Sequence, residues 1–199
     1  MKEKPVCREK WILNFQKLLT VAVCLSYLSL PIYAAVPAFP GAEGSGRWVF
    51  GGRGGEVYEV TNLNNSGPGS IVDALSQPNR TIVFRVSGTI ELDGVKLYPK
   101  SYTTIAGQTA PGEGICIKGR IHLKDDVHDI IIRYIRVRVD EGAANSSGDA
   151  IDMDECFNVI IDHVTASYSR DEGISCQEDS DHITVQWCII SESLTYEDH

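Results

Sequence analysis

Three segments can be laid over one another, and that repeat limits the folds open to the chain more than any other feature. KGRIHLKDDVHDIIIRYIRVRV (118–139), GDAIDMDECFNVIIDHVTASYS (148–169) and EGISCQEDSDHITVQWCIISES (172–193) bring Ile121, Ile151 and Ile174 together, 30 and 23 residues apart. Asp129, Asn158 and His182 then share a turn, and Ile130, Val159 and Ile183 each open the strand that follows. The longer first interval is taken up by the polar insert EGAANSSGD (141–149). A period of this length with two short strands per unit marks a solenoid. Leucine-rich repeats have a similar period, but their Leu/Asn consensus is absent. β-Branched strands with polar corners predict an all-β fold, a right-handed parallel β-helix in which each coil stacks on the one before. An ordinary β-sandwich is the competing architecture. From Val36 onward no segment carries the apolar period of an amphipathic helix.

The stretch SSGDAIDMDE (146–155) holds Asp149, Asp152, Asp154 and Glu155 around two apolar residues. Like charges side by side on a strand repel and disfavour the sheet. Strand parity turns Ile151 and Met153 inward and Asp152 and Asp154 outward, as a solvated face. The same parity sets Ile130, Ile132 and Tyr134 against Ile131, Arg133 and Ile135.

The first 35 residues differ in kind. Five basic residues precede or enter the apolar run LLTVAVCLSYLSL, and Pro31 then leads to Ala34-Ala35. A charged start, an apolar centre and small residues at the end predict a secretory signal peptide over 1–35, with the folded domain over 36–199. The apolar run is short for a membrane span. Removing the leader's five basic and two acidic residues from the chain's 18 and 27 leaves 13 and 25, a formal charge of −12. Such a surface excludes nucleic acid and anionic membranes as partners, and an anionic substrate needs a cation as mediator. Export permits disulfides, and the spacing of Cys116, Cys156, Cys176 and Cys188 matches no zinc pattern. Buried thiols and one disulfide both remain open. Asn64, Asn79 and Asn145 head N-glycosylation sequons, meaningful in a eukaryotic secretory path.

Four ordered segments resemble family 1 polysaccharide lyases, the pectate lyases. They are AFPGAEGSGRWVFGGRGGEVYEVTNLNNSGPGSIVDALSQPNRTIVFRVSGTIEL (38–92), TTIAGQTAPGEGICIKG (103–119), NVIIDHVTASYSRDEGIS (158–175) and ITVQWCIISESL (183–194). Ser45 departs from the family, where many relatives carry an aromatic. The resemblance implies a β-helix and calcium-dependent β-elimination of polygalacturonate, the acidic polymer of pectin. It also implies several further coils beyond those matched here.

Carried over residue by residue, the resemblance makes Asp149 a calcium ligand and Asp171 an acidic ligand one coil later, with Glu172 beside it as the alternative. Calcium takes six to eight oxygen ligands, which carboxylates from neighbouring coils can supply. Ser147 and Ser175 stand where acids are common in the family. Without the resemblance, Asp149 and Asp171 read as turn formers sooner than as ligands. His163 of IIDH is expected to be structural. Arg133, Arg136 and Arg138 are expected to pair with the surplus acids, although arginine also suits uronate carboxylates. Arg170 does not match the family's catalytic arginine, which belongs on a coil past His199, so the catalytic residue is left unassigned.

The expected protein is therefore a secreted pectate lyase, of which this chain forms the N-terminal part, monomeric when complete. The alternative is a non-catalytic β-helix that binds acidic polysaccharide. A calcium-independent pectin lyase is disfavoured because it has no use for paired acids. An open β-helix end exposes unpaired backbone and apolar stack residues, so the chain by itself is expected to be aggregation-prone.

Overall fold

The computed structural model describes residues 35–140 and 148–194, and the expected leader lies outside them apart from Ala35. Thirteen short strands run through the described residues. They are β1 (Glu56–Val60), β2 (Arg80–Phe84), β3 (Gly88–Leu97), β4 (Thr103–Ala106), β5 (Ile115–Leu123), β6 (His128–Arg133) and β7 (Ile135–Arg138). Then come β8 (Ile151–Asp154), β9 (Phe157–Asp162), β10 (Thr165–Ser167), β11 (Ile174–Gln177), β12 (Asp181–Gln186) and β13 (Ile189–Ser191). Every pairing is parallel and joins one coil to the next. The chain is a parallel β-helix, as the repeat predicts.

One face is the sheet β1-β2-β4-β6-β9-β12. β5 bends and serves two further faces: Ile115–Lys118 pair with β7, and Ile121–Leu123 pair with β8. β10 and β13 extend the first of these, and β11 extends the second. The bend falls at Gly119, where φ is +152° and a Cβ would stand 2.7 Å from Leu92 Cδ1. Only glycine turns that corner without displacing the core.

Inside, like residues stack in columns. Ile82, Ile105, Ile132 and Ile161 lie one above another, as do Leu97, Ile121, Ile151 and Ile174. The first column and Leu97, Ile121 and Ile151 are almost fully buried. A stack of β-branched side chains excludes water along its whole length, which is the main stabilising contribution here. The repeat alignment on Ile121, Ile151 and Ile174 is thus the observed register. A one-turn helix, α1 (Ile71–Ala74), capped by Ser70, closes the N-terminal side with Ile71 and Ala74 buried.

The shared turn is a column too. Asn79 and Tyr102 immediately precede β2 and β4, and Asp129, Asn158 and His182 stand second in β6, β9 and β12, all with φ between +54° and +60°. A second left-handed column, Tyr134, His163 and Trp187, divides that sheet from the next face. It resets the alternation, so Tyr134 is exposed and Ile135 buried, contrary to unbroken strand parity. Ile131 keeps its outward parity and is buried all the same. With Ile160 it points out of the first sheet, yet both are buried under Ala38, Phe39, Ala42 and Val49. The N-terminal segment is pinned there by Gly46 N–H to Thr184 Oγ1 at 2.9 Å and Phe50 N–H to Asp129 Oδ1 at 2.8 Å. It covers the first sheet and leaves the β8-β11 face open.

Candidate functional site

The open face carries two outward columns. Lys96 and Arg120 form one. His122, Asp152 and Ser175 form the other, and Tyr98 stacks against His122 at 5.7 Å between ring centroids. The turn before β8 ends in Gly148-Asp149, and Asp171-Glu172 lie one coil further on, before β11. Oxygen atoms of Asp149, Asp171 and Glu172 lie within 4.8 Å of one another, the first residue buried and the other two exposed.

Asp149 is held from three sides. Its Oδ1 accepts from the Glu172 backbone N–H at 2.8 Å, and its Oδ2 accepts from the Ser175 hydroxyl. Arg120 Nε donates to its carbonyl at 2.8 Å. Gly148 is what lets that guanidinium pass, since a Cβ there would meet Arg120 Nη2 at 1.9 Å and φ is +140°. The SGD turn therefore needs its glycine for the close approach of an arginine from the previous coil. Ser147, with the rest of 141–147 and the Asn145 sequon, lies outside the described residues.

The acids repel one another. The Asp149 carboxylate beside Glu172, reinforced by Asp171, pushes the Glu172 carboxyl above its ordinary range. A cation between them removes that repulsion. The donor set is all oxygen, with no imidazole or thiolate among the three, which fits a hard divalent ion.

Asp152 and Asp154 do not form a solvated face. Asp152 is half-buried, with Oδ1 3.3 Å from the Ser175 hydroxyl and Oδ2 3.3 Å from His122 Nε2. Ser175 thus stands as a neutral wedge between the Asp149 and Asp152 carboxylates. Asp154 Oδ1 is buried without a hydrogen-bond partner among the described residues. Asp152 lies over His122 of the coil below, and Lys124 is within electrostatic reach of Asp154, contacts that parity alone does not reveal. Burial, followed by the neighbouring Arg120 charge, pulls Lys96 below the usual lysine range.

Over most of its length the chain matches fungal proteins. It is 46% identical over 171 residues to an Aspergillus flavus protein named probable pectate lyase C, covering 86% of this chain and 40% of that protein. The Aspergillus terreus protein of the same name is 46% identical over 162 residues. The chain is similar to proteins named pectate lyase. A more distant relative, the pectate trisaccharide-lyase of Thermotoga maritima, is 27% identical over 187 residues, 46% of its length. The solved structure of Jun a 1, the major allergen from cedar pollen, superposes with a TM-score of 0.60 at 25% identity over 71% of this chain and 46% of that one. No family model matches the chain. The chain spans about 40% of the length of the fungal pectate lyases that it matches.

In this chain the other sequence candidates are held elsewhere. Arg133 Nε donates to Asp162 Oδ2 at 2.7 Å and its guanidinium lies 3.5 Å from the Phe39 ring centroid, so it pins the N-terminal segment. His163 Nδ1 is 3.0 Å from Asp162, and its ring stacks on Tyr134 with centroids 4.5 Å apart. That is a structural placement, on the bend column and off the acidic face. Arg138 lies 5.9 Å from the Tyr168 ring centroid on the β7-β10 face. Cys116, Cys156, Cys176 and Cys188 are free thiols, and burial pushes Cys156 up to about 11. Sequence reasoning missed Asp162, Arg120, Tyr98 and His122. The first was within reach, because the repeat sets Arg133 against Asp162.

Proposed function

We propose that the chain supplies the calcium-binding part of a secreted pectate lyase that cleaves polygalacturonate by β-elimination. One observation carries this reading: three carboxylates from two consecutive coils converge on the β8-β11 face, which the N-terminal segment leaves uncovered. Identity to proteins named pectate lyase supports the reaction class. The ion, when bound, neutralises a uronate carboxylate and acidifies the hydrogen on the adjacent carbon.

The chain's own residues do the positioning. Asp149 is fixed by the Glu172 amide and the Ser175 hydroxyl, so its carboxylate is pre-oriented at little entropic cost. Glu172 and Asp171 close the cluster from the next coil. Proton abstraction is assigned, on the family resemblance, to an arginine on a coil beyond those described. The leader over 1–35 and the acidic surface support export to the cell exterior.

The test is calorimetric titration of calcium into the 199-residue chain. Asp149→Ala should weaken binding at least about tenfold. An unchanged affinity would remove the assignment. Calcium should also be required for tight binding of polygalacturonate, with chelator reversing it. Ultraviolet absorbance of the unsaturated product, followed with the chain alone, should stay flat. A calcium-dependent rise would place a working base inside the chain.

A further inference from the structure

The open face is bipolar along the β-helix axis. Asp149, Asp152, Asp154, Asp171 and Glu172 lie towards its C-terminal coils, whereas Lys96, Arg120, His122 and Lys124 lie on the coils before them. On that basic half a groove of about 370 Å³ opens between Tyr98, Lys100, Ser101, His122, Lys124 and Asp125. The acidic cluster does not reach it.

We propose that this groove is a separate uronate subsite, binding one carboxylate-bearing sugar of the polymer without a metal. Tyr98 is 43% exposed on the groove wall. Lys124 Nζ lies 5.7 Å from that ring centroid and 3.0 Å from Asp125 Oδ2. Lys100 is exposed and forms no ion pair among the described residues. Two ammonium groups face one carboxylate, so the groove is positive on a chain whose formal charge is −9. An aromatic face beside a lysine is a fitting receptor for a sugar that carries both an apolar ring face and an anion.

The floor adds to this. His122 is mostly covered, and both its ring nitrogens lack a hydrogen-bond partner; Asp152 Oδ2 at 3.3 Å is badly aligned. Buried polar atoms are normally paired, and a sugar hydroxyl reaching the floor would pair one.

Position completes the case. From His122 the outward column passes to Asp152 and then to Ser175, which touches Asp149. Two coil steps are roughly 10 Å, so groove and cluster lie on one line parallel to the axis. A polyuronate on that line meets lysines directly at one end and acids bridged by a cation at the other. The inference rests on the pectate reading for the identity of the sugar.

The experiment measures binding of a short oligogalacturonate to the 199-residue chain with chelator present. Tyr98→Ala and Lys124→Ala should each weaken binding about fivefold, the effect of losing one modest contact. Tyr98→Phe should retain wild-type affinity, and Asp149→Ala should have no effect under chelator. Both altered side chains are partly exposed, and circular dichroism checks that each variant is folded. Equal binding of the fully methyl-esterified oligomer, or wild-type affinity in both alanine variants, overturns the subsite. So does binding that appears only with calcium, which leaves the pectate reading intact. Absence of binding with and without calcium overturns both.

Discussion

Ser175 is the residue at which the candidate centre departs most from a fully acidic set. Its hydroxyl lies between the Asp149 and Asp152 carboxylates and separates two like charges. Ser175→Asp should therefore act in opposite directions on binding and on folding. A fourth carboxylate in the cluster should tighten calcium binding by roughly tenfold, because ligand charge tunes such sites. Without calcium the same change should lower the thermal midpoint, since three buried or half-buried acids would then adjoin. Calorimetry with and without chelator reads both. At this scale the sequence was half legible. Asp149, Asp171 and Glu172 could be named because the family resemblance carries over to those positions; the repeat alone left them as turn formers. Asp152 could not be placed correctly, because parity tells which way a side chain points and not what the neighbouring coil lays over it. Arg120 was hidden for a related reason: its reach over Gly148 depends on a side-chain path between coils.

Between elements, β6, β9 and β12 are joined by one buried acid. Asp162 accepts from Arg133 Nε at 2.7 Å and Gln186 Nε2 at 2.7 Å, and His163 Nδ1 is 3.0 Å away. Burial alone would raise its pKa, but the Gln186, Arg133 and His163 partners together hold the carboxyl below its usual range. A carboxyl depressed in the folded state stabilises above the unfolded pKa, and that contribution is lost as pH falls through the folded pKa. Asp162→Asn should cost about 3 kcal/mol at neutral pH, because it leaves Arg133 poorly paired. The penalty should shrink on acidification below about pH 4, where the wild type loses the same charge. Urea unfolding at a series of pH values checks this, and parallel curves for the two proteins would contradict it. The element boundaries themselves were the more legible part. Polar residues at Asp129, Asn158 and His182 marked one bend column in advance. Tyr134 and Trp187 gave no such signal, because bulky side chains ordinarily avoid positive φ.

Across the whole molecule, each inner column ends on the last strands in a residue with little cover. The isoleucine column continues to Val185, 43% exposed, and Ile90, Ile117, Val137 and Ala166 lead to Ile190, 52% exposed. Among the described residues β11, β12 and β13 have a strand neighbour on one side only. Unpaired edge backbone beside exposed apolar side chains promotes association. The 199-residue chain should self-associate with rising concentration, and Val185→Lys with Ile190→Lys should suppress it in sedimentation experiments. A wild-type chain that stays monomeric at high concentration would contradict this. The architecture was readable because a coil repeats its pattern, whereas the cover given by residues 38–50 to Ile131 and Ile160 was not. That contact joins segments distant in sequence, and the repeat does not contain them.

Parallel stacking also makes the open face a ruled scale. Its graduations are the coil spacing, near 4.8 Å, and backbone hydrogen bonds fix them whatever side chains they carry. A polymer laid along the axis brings a repeat of its own. Where the two repeats differ, successive units drift off the marks, as on a vernier, and only a few neighbouring units can be in register together. Affinity should therefore rise with ligand length over the first units and then level off, with a plateau set by the backbone and not by the number of charged residues along the face.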